Sequence, residues 1–139
     1  MSYFFVAHIC ALSMNWAQPT LSTERYSSCV EVGMGAIAGG VEPSLAVALA
    51  YTESRFNPVA KSSRGAHGPL QIKPGFHCPN KGLKGCNLIK AGIGAIIRYR
   101  SRYGSDWLCH WNSGNRCYDK SRLFARIVLR RQRTLRKGR

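Results

Sequence analysis

The chain has 139 residues, and 21 Lys and Arg residues against six Asp and Glu residues give it a formal net charge of +15. This length suits one domain with a single core and excludes a second catalytic domain. The positive charge favours an anionic partner. Because acidic residues are scarce, any carboxylate that lies beside an apolar segment is a candidate for chemistry.

Residues 1–17 have the features of an export signal. The segment carries no charged side chain, and its apolar stretch over 3–12 has the length of a signal-peptide core rather than that of a membrane span. We predict cleavage near Ala17. Because no Lys or Arg precedes the apolar stretch and His8 interrupts it, two alternatives stay open: an apolar leader packed on the domain, or a start at Met14.

The apolar spacing after the leader is typical of helices rather than strands. Helices are predicted over 28–38, 42–54, 67–72, 87–103, 107–112 and 119–131, an extended segment over 20–28, and irregular loops over 56–64 and 73–86. Asn87 and Asp106 are the expected N-caps of two of these helices. We therefore predict a mostly α fold, with one domain over 18–131 and a basic C-terminal tail over 132–139 that frays.

Glu53 follows the apolar run 45–52 at the end of a predicted helix. Burial disfavours the charged form of a carboxyl group and raises its pKa, as a general acid working near neutral pH requires. Glu53 is therefore the first candidate catalytic residue. The alternative is an ordinary helix-end carboxylate paired with Arg55 or Arg64, since structural ion pairs also shift pKa values.

Two later segments carry groups that suit a sugar polymer. In 65–74, two glycines bracket a tight turn and Gln71 follows among apolar residues. In 107–114, Trp111 and Asn112 stand where a helix meets a glycine stop. An aromatic face beside amide groups fits the apolar faces and hydroxyls of sugar rings. For the first segment, the alternative is a plain surface turn with a solvated Gln71.

Four cysteines fall into two pairs with the same spacing, Cys78 with Cys86 and Cys109 with Cys117. We predict two local disulfides, each worth about 2–3 kcal/mol on a loop-entropy estimate, and bonds of this kind persist in an oxidising compartment. Removal of the leader together with Cys10 would leave Cys29 unpaired.

A zinc site is the alternative use of these side chains, although no Cys-x-x-Cys spacing is present. Its ligands would come from the set His77, Cys78, Cys86, Cys109, His110 and Cys117. We predict no metal and no cofactor.

Cations are concentrated at the C-terminus, where the residues from Arg116 onward include ten Lys or Arg and one acidic residue. The cations that share one helical face are Arg122, Arg126, Arg130 and Arg133. Like charges one turn apart disfavour an isolated helix. We expect this face to bind an anionic surface, such as lipid headgroups, lipopolysaccharide phosphates or the anionic peptides of the bacterial wall. A solvated basic face is the alternative, and no specific nucleic acid is expected.

Taken in order, the three central segments resemble the soluble lytic transglycosylase (SLT) family of the lysozyme-like superfamily. The family pattern is Glu-Ser-x-Phe-x-Pro, then Gly-x-x-Gly-x-x-Gln-Ile-x-Pro, then Tyr-Asn-x-Gly. It is matched here by residues 53–58, 65–74 and 111–114, with Trp in place of the Tyr. Residues 87–92 are similar to the family's Asn-Ile-x-x-Gly segment, with one extra residue. The resemblance covers roughly 26–128 and implies a mostly α, single lysozyme-like domain with irregular loops.

The resemblance implies a peptidoglycan lytic transglycosylase. Such an enzyme cleaves the β-1,4 bond between N-acetylmuramic acid and N-acetylglucosamine and leaves a 1,6-anhydro sugar, with Glu53 acting as acid and then as base. Its partners would be peptidoglycan glycan strands. Three alternatives stay open: a goose-type lysozyme, which is a hydrolase, a catalytically silent wall-binding module, and a cationic binder of membranes or nucleic acid in which the tail is the function.

The resemblance also implies roles for individual residues. The substrate-binding positions are Ser54, Leu70, Gln71, Asn112 and, as a stacking ring, Trp111. The family commonly has a Tyr in its last helix that bonds to the catalytic Glu, and Phe124 is the best-aligned residue here, so Tyr118 or Tyr51 is expected to substitute. The expected location is the periplasm or cell wall, or a phage virion or lysis apparatus.

Overall fold

The computed structural model of the protein describes residues 3–16 and 22–138, and this part of the chain is mostly helical. The helices are α1 (Tyr3–Met14), α2 (Thr23–Gly39), α3 (Pro43–Ser54), α4 (Pro74–His77), α5 (Leu88–Tyr103), α6 (Trp107–Ser113) and α7 (Asp119–Lys137), with 3-10 turns at Pro79–Lys81 and Gly104–Asp106. Within the described residues no sheet is formed, and the only bridges are isolated ones that join Lys61 to His67 and His67 to Ile72. The prediction of a mostly α fold is confirmed.

Helix α3 is the centre of the core. Every residue from Pro43 to Tyr51 is buried, so the helix is apolar on all sides and needs neighbours around it. Helices α2 and α7 pack against α3, and α1 also contacts it. This central position holds Glu53, two residues beyond Tyr51, at the end of the most buried helix.

Helix α1 packs against α2, α3 and α7. Val6, Ile9 and Cys10 are fully buried, and Cys10 is bonded to Cys29 of α2. This arrangement corresponds to the packed-leader alternative. The cleavage site near Ala17 lies outside the described residues, and cleavage there stays a prediction.

All six cysteines are in disulfides. The structure contains the two local bonds predicted from spacing, Cys78–Cys86 and Cys109–Cys117. The sulfur atoms of the alternative zinc set are therefore committed to one another. In 3–16 and 22–138, no cluster of three or more His, Cys, Asp or Glu side chains has a geometry suited to a metal ion.

Three helices lie close to their predicted bounds. The prediction over 42–54 corresponds to α3, that over 87–103 to α5 and that over 107–112 to α6. Asn87 is an N-cap as predicted, because its Oδ1 accepts a hydrogen bond from the backbone N–H of Lys90 at 3.0 Å. Asp106 is not a side-chain cap, since its carboxylate makes no capping bond and a 3-10 turn leads into α6 instead.

Other boundaries differ from prediction. Helix α2 begins at Thr23, not at 28, because the Oγ of Ser22 accepts a hydrogen bond from the Arg25 N–H and starts the helix early. The predicted helix over 67–72 is a turn, and the short helix of this region is α4. Helix α7 continues to Lys137, beyond the predicted end at 131, because Leu135 is fully buried and anchors its last turns.

None of the helices in the described part of the chain combines the length and the apolar character needed to cross a bilayer.

Gly92 allows the loop before Gln71 to pack against α5. A Cβ atom at Gly92 would lie 2.6 Å from Cδ1 and 3.1 Å from Cβ of Leu70, a side chain that is itself buried. Because real Cβ atoms do not approach so closely, only glycine permits this contact without displacing the loop.

We expect Gly92→Ala to lower the free energy of unfolding by about 1–3 kcal/mol through overpacking against Leu70. Gly94→Ala is the matched control on the same helix. Its Cβ would meet only the end of the Arg98 side chain, at 3.3 Å, and it should stabilise by about 0.5–1 kcal/mol through helix propensity. Urea unfolding followed by tryptophan fluorescence measures both. Equal effects of the two variants would contradict the proposed contact.

Candidate active site

The Glu53 carboxyl group lies in the last turn of α3 and receives one hydrogen bond. The indole Nε1–H of Trp111, on α6, donates to Oε2 at 2.8 Å. Burial raises the pKa of Glu53 from its ordinary value of 4.5 to about 7, and the Trp111 bond opposes this rise by stabilising the ionised form. Glu53 is therefore substantially protonated near neutral pH.

The backbone that follows Glu53 is strained. Arg55 and Phe56 have φ angles of 52° and 63°, in the left-handed region that non-glycine residues seldom adopt. Each costs about 1–2 kcal/mol. Full burial of Phe56 and a hydrogen bond from Arg25 Nη1 to the Arg55 carbonyl at 2.9 Å stabilise this turn. The turn ends α3 at Ser54, one residue after Glu53.

Ser54 joins the end of α3 to the loop that carries Gln71. Its Oγ donates to the Pro69 carbonyl at 2.7 Å and also contacts the Ala50 carbonyl at 3.2 Å. Ser54 is not among the residues that line the cleft beside Glu53. The hydroxyl thus positions the loop and does not face that cleft.

Gln71 is held by its own loop. It has a φ angle of 53°, and its Nε2 donates to the Gly68 carbonyl at 2.9 Å and to the Ala60 carbonyl at 3.2 Å. Both amide protons are therefore used within the loop, and the amide oxygen is left as the acceptor on the cleft side. The neighbouring Leu70 points into the core, where it is 1% exposed.

Ring contacts fix the orientation of Trp111. The Tyr99 ring of α5 meets it edge-on with centroids 5.2 Å apart, and the Trp107 ring meets it in the same manner at 6.0 Å. Asn112 is the next residue on α6, exposed at the same side of the cleft.

These groups border an open cleft of about 550 Å³. Of the six sequence-predicted catalytic and binding residues, the structure brings four to the cleft: Glu53, Gln71, Trp111 and Asn112. Ser54 and Leu70 lie behind it. Sequence reasoning missed other lining side chains, among which are Arg64, Lys73, Phe76, His77 and Tyr99. Tyr99 could have been found from its place on the same face of α5 as Ile96, whereas the others sit on loops and a four-residue helix with no periodic signal.

The newly found lining groups make the cleft rim cationic and aromatic. His77 receives a hydrogen bond from Arg98 at 3.0 Å, and burial together with the positive charge of Arg98 lowers the pKa of His77. Burial raises the pKa of Tyr99. Neutral imidazole and phenol groups beside Arg64 and Lys73 suit a substrate that combines sugar rings with carboxylates.

Glu53 is the single carboxylate of the cleft. All six acidic residues lie in the described part of the chain, and the other five, Glu24, Glu31, Glu42, Asp106 and Asp119, are not among the lining residues. A mechanism that needs a second carboxylate within about 5–10 Å is therefore not supplied by these side chains.

The partner of Glu53 differs from the expected tyrosine. The Tyr51 hydroxyl donates to the Trp16 carbonyl at 2.7 Å, and Tyr118 is exposed at the start of α7. Neither bonds to Glu53. The Trp111 N–H takes that role.

A model of the transglycosylase SLT domain family matches residues 32–115, which is more than half of the chain. The protein belongs to the SLT family. The match spans Glu53, the Gln71 loop, α4, α5 and the Trp111 helix, so all of these elements at the cleft lie within the family's domain. Neither a curated protein nor a solved structure matches the chain.

Membership in the SLT family, together with the mostly helical architecture, identifies a single lysozyme-like domain. SLT domains act on glycosidic bonds of peptidoglycan, and this places the chain among peptidoglycan-directed proteins. The three disulfides fit an extracellular location.

Replacing Glu53 with its neutral isostere, Glu53→Gln, should stabilise the protein above pH 7. The folded state favours the protonated form, whereas the unfolded chain ionises near pH 4.5, so wild-type stability falls as the pH rises from 4.5 through 7. The Gln side chain does not ionise, so above pH 7 the free energy of unfolding of the variant should exceed that of the wild type by about 1–3 kcal/mol. Denaturant unfolding measures the difference, which should vanish below pH 4.5. Glu31→Gln, at an exposed site on α2, is the control with little expected effect.

Proposed function

We propose that this SLT protein is a peptidoglycan lytic transglycosylase. It would cleave the β-1,4 bond between N-acetylmuramic acid and N-acetylglucosamine and form the 1,6-anhydro product. One observation carries the proposal: a single carboxyl group, with its pKa raised to about 7, lies in a cleft bordered by amide and aromatic side chains. A protonated acid that becomes a base within one cycle needs a pKa near the working pH.

In the proposed reaction, protonated Glu53 gives its proton to the glycosidic oxygen as the bond from that oxygen to the anomeric carbon breaks. The acetamido carbonyl of the N-acetylmuramic acid residue supports the positive charge that develops at the anomeric carbon of that sugar. The ionised Glu53 then accepts the proton of the 6-hydroxyl group as its oxygen bonds to the anomeric carbon. Glu53 ends the cycle protonated, and no water is consumed.

The other residues hold the glycan strand. We assign the free amide oxygen of Gln71 and the exposed amide of Asn112 to hydrogen bonds with acetamido and hydroxyl groups, and the ring of Trp111 to an apolar sugar face. Arg64 and Lys73 are placed to attract the carboxylates of the lactyl group and peptide stem. Ser54 and Leu70 contribute indirectly, because they fix the loop that presents Gln71.

A goose-type hydrolase is the alternative enzyme, and it would place water where the 6-hydroxyl group attacks. A catalytically silent wall-binding module is the alternative without chemistry. The presence of one carboxylate whose acidity is tuned by burial favours the transglycosylase over both, since the intramolecular attack needs no second carboxylate to activate water.

Mass analysis of muropeptides released from purified sacculi tests the proposal. Wild-type protein should release products with anhydro ends, and Glu53→Gln should lower the rate at least about 100-fold, the usual minimum contribution of a general acid. Glu31→Gln should retain the wild-type rate. Products with reducing ends would identify a hydrolase instead. Wall binding without any product would identify a silent module.

We propose an exported protein that works in the periplasm or cell wall, or as part of a phage virion or lysis apparatus. The Cys78–Cys86 and Cys109–Cys117 disulfides, which lie in the domain that cleavage would retain, support export. A signal peptide over 1–17 remains part of this proposal, with the catalytic domain over 18–131. The basic segment 132–139 belongs to α7 as far as Lys137.

We propose in addition that the outer face of α7 binds an anionic membrane surface. Its exposed cations are Arg122, Arg126, Arg130, Arg133, Arg136 and Lys137. Leu123 and Leu129 are exposed among them, at 48% and 39%. Arg131 is different, because its side chain lies over the Tyr51 ring and bonds to Thr52. Unlike Arg131, the exposed cations point away from the domain and are available to bind lipid headgroups.

Vesicle sedimentation tests this partner. Wild-type protein should bind phosphatidylglycerol vesicles and not phosphatidylcholine vesicles, and Arg126→Gln with Arg130→Gln should weaken binding about 10- to 30-fold, at about 1 kcal/mol per cation. The charge-matched control is Lys90→Gln with Arg100→Gln, two exposed cations of α5, which should weaken binding less. Equal loss in both double variants would show attraction by net charge alone.

A further inference from the structure

The hydrogen bond between Trp111 and Glu53 can run in one direction only, with Trp111 as the donor. An indole N–H can donate a hydrogen bond but cannot accept one. The oxygen that receives it, Oε2, must therefore present a lone pair both when Glu53 is ionised and when it is protonated. In a protonated carboxyl group the carbonyl oxygen is a better acceptor than the hydroxyl oxygen, so the bond from Trp111 favours the form with the proton on the other oxygen, Oε1.

The second oxygen, Oε1, faces different surroundings. Trp111 is the only hydrogen-bond partner of the Glu53 side chain within the described residues. Among buried side-chain nitrogen and oxygen atoms of that part of the chain, only Ser28 Oγ lacks a partner. Oε1, which also lacks one, is thus not sealed in the interior. Since Glu53 lines the cleft, Oε1 is the oxygen open to it.

The donor itself is rigidly placed. Tyr99 and Trp107 meet the Trp111 ring edge-on from two sides, and Trp107 is buried. The Cys109–Cys117 bond ties the same short helix to the segment that leads into α7. The N–H direction is therefore set by packing before any substrate arrives.

We propose that Trp111 is a positioning residue that confines the acidic proton of Glu53 to Oε1, the oxygen that faces the glycosidic bond. The inference rests on the proposed role of Glu53 as the general acid. Trp111 acts on the reaction through Glu53, in addition to any contact of its ring with a sugar.

Loss of the Trp111 N–H would change the pKa of Glu53 in a definite direction. The bond stabilises ionised Glu53, so its removal raises the pKa of Glu53 further. The other charged or titratable groups that line this cleft are Arg64 and Lys73 on the loops, His77 on α4 and Tyr99 on α5, while Arg131 of α7 is held at Tyr51 and Thr52. None of them changes when only the indole nitrogen is replaced. The alkaline limb of the activity profile should therefore move to higher pH.

The sharpest test replaces the indole nitrogen with sulfur, by incorporation of benzothienyl-alanine at position 111. This side chain keeps the shape and stacking face of Trp and lacks the donor. The first readout is the midpoint of the Glu53 carboxyl titration, followed by carbon NMR in protein with labelled Glu. We expect the midpoint to move to higher pH by about one pH unit, the scale of one hydrogen bond to a charged group.

The second readout is the pH profile of wall digestion. We expect kcat to fall about 10-fold with KM nearly unchanged, and the alkaline limb to follow the shifted midpoint. Trp111→Phe should show the same shift and, in addition, a higher KM because the ring is smaller. Trp107→Phe is the control, because that ring contacts Trp111 and makes no bond to Glu53, and its midpoint should stay at the wild-type value.

An unchanged midpoint in the sulfur variant would overturn the inference, and so would an equal shift in Trp107→Phe, which would indicate a general packing effect. If wild-type protein failed to cleave the wall, the proposed function would fail, whereas the titration would still show whether Trp111 governs the proton of Glu53.

Discussion

Desolvation of one carboxyl group is the constraint on which the site depends. Helix α3 is buried from Pro43 to Tyr51, and its apolar surroundings continue far enough to take most of the water away from Glu53. The chain has six acidic residues and a net charge of +15, yet within residues 3–16 and 22–138 no Lys or Arg is paired with Glu53 to hold it ionised. The Trp111 indole supplies a polar partner without a full charge, so the pKa stays close to neutrality and is not driven down by an ion pair.

The cleft is assembled by contacts that each join two elements. The Ser54 hydroxyl holds the Gln71 loop to α3, and Gly92 lets Leu70 bring that loop against α5. The Tyr99 ring of α5 packs against the Trp111 ring of α6, and Trp111 donates a hydrogen bond to Glu53 of α3. Together, these contacts connect α3, the Gln71 loop, α5 and α6 in a ring around the cleft. In the Glu53-Ser54 pair, the carboxyl group therefore lies at the cleft and the hydroxyl group supports the neighbouring loop.

The sequence allowed prediction of much of this site and of the fold class. Helices α3 and α5 follow from apolar spacing and the Asn87 cap, and Glu53 follows from its place at the end of an apolar helix. The turn over 67–72 could not be predicted, because the left-handed backbone of Gln71 is imposed by hydrogen bonds to Ala60 and Gly68. The indole bond to Glu53 was equally hidden, since it joins residues 58 positions apart and spacing carries no information on such a contact.

The Cys109–Cys117 disulfide makes the geometry of the acid depend on redox environment. In a reducing cytoplasm the two sulfurs would be separate thiols, and α6, only seven residues long, would lose its covalent tether while still carrying the indole donor. Oxidation would restore that tether. Under reducing conditions, the packing of Tyr99 and Trp107 would be the remaining constraint on the direction of the indole N–H.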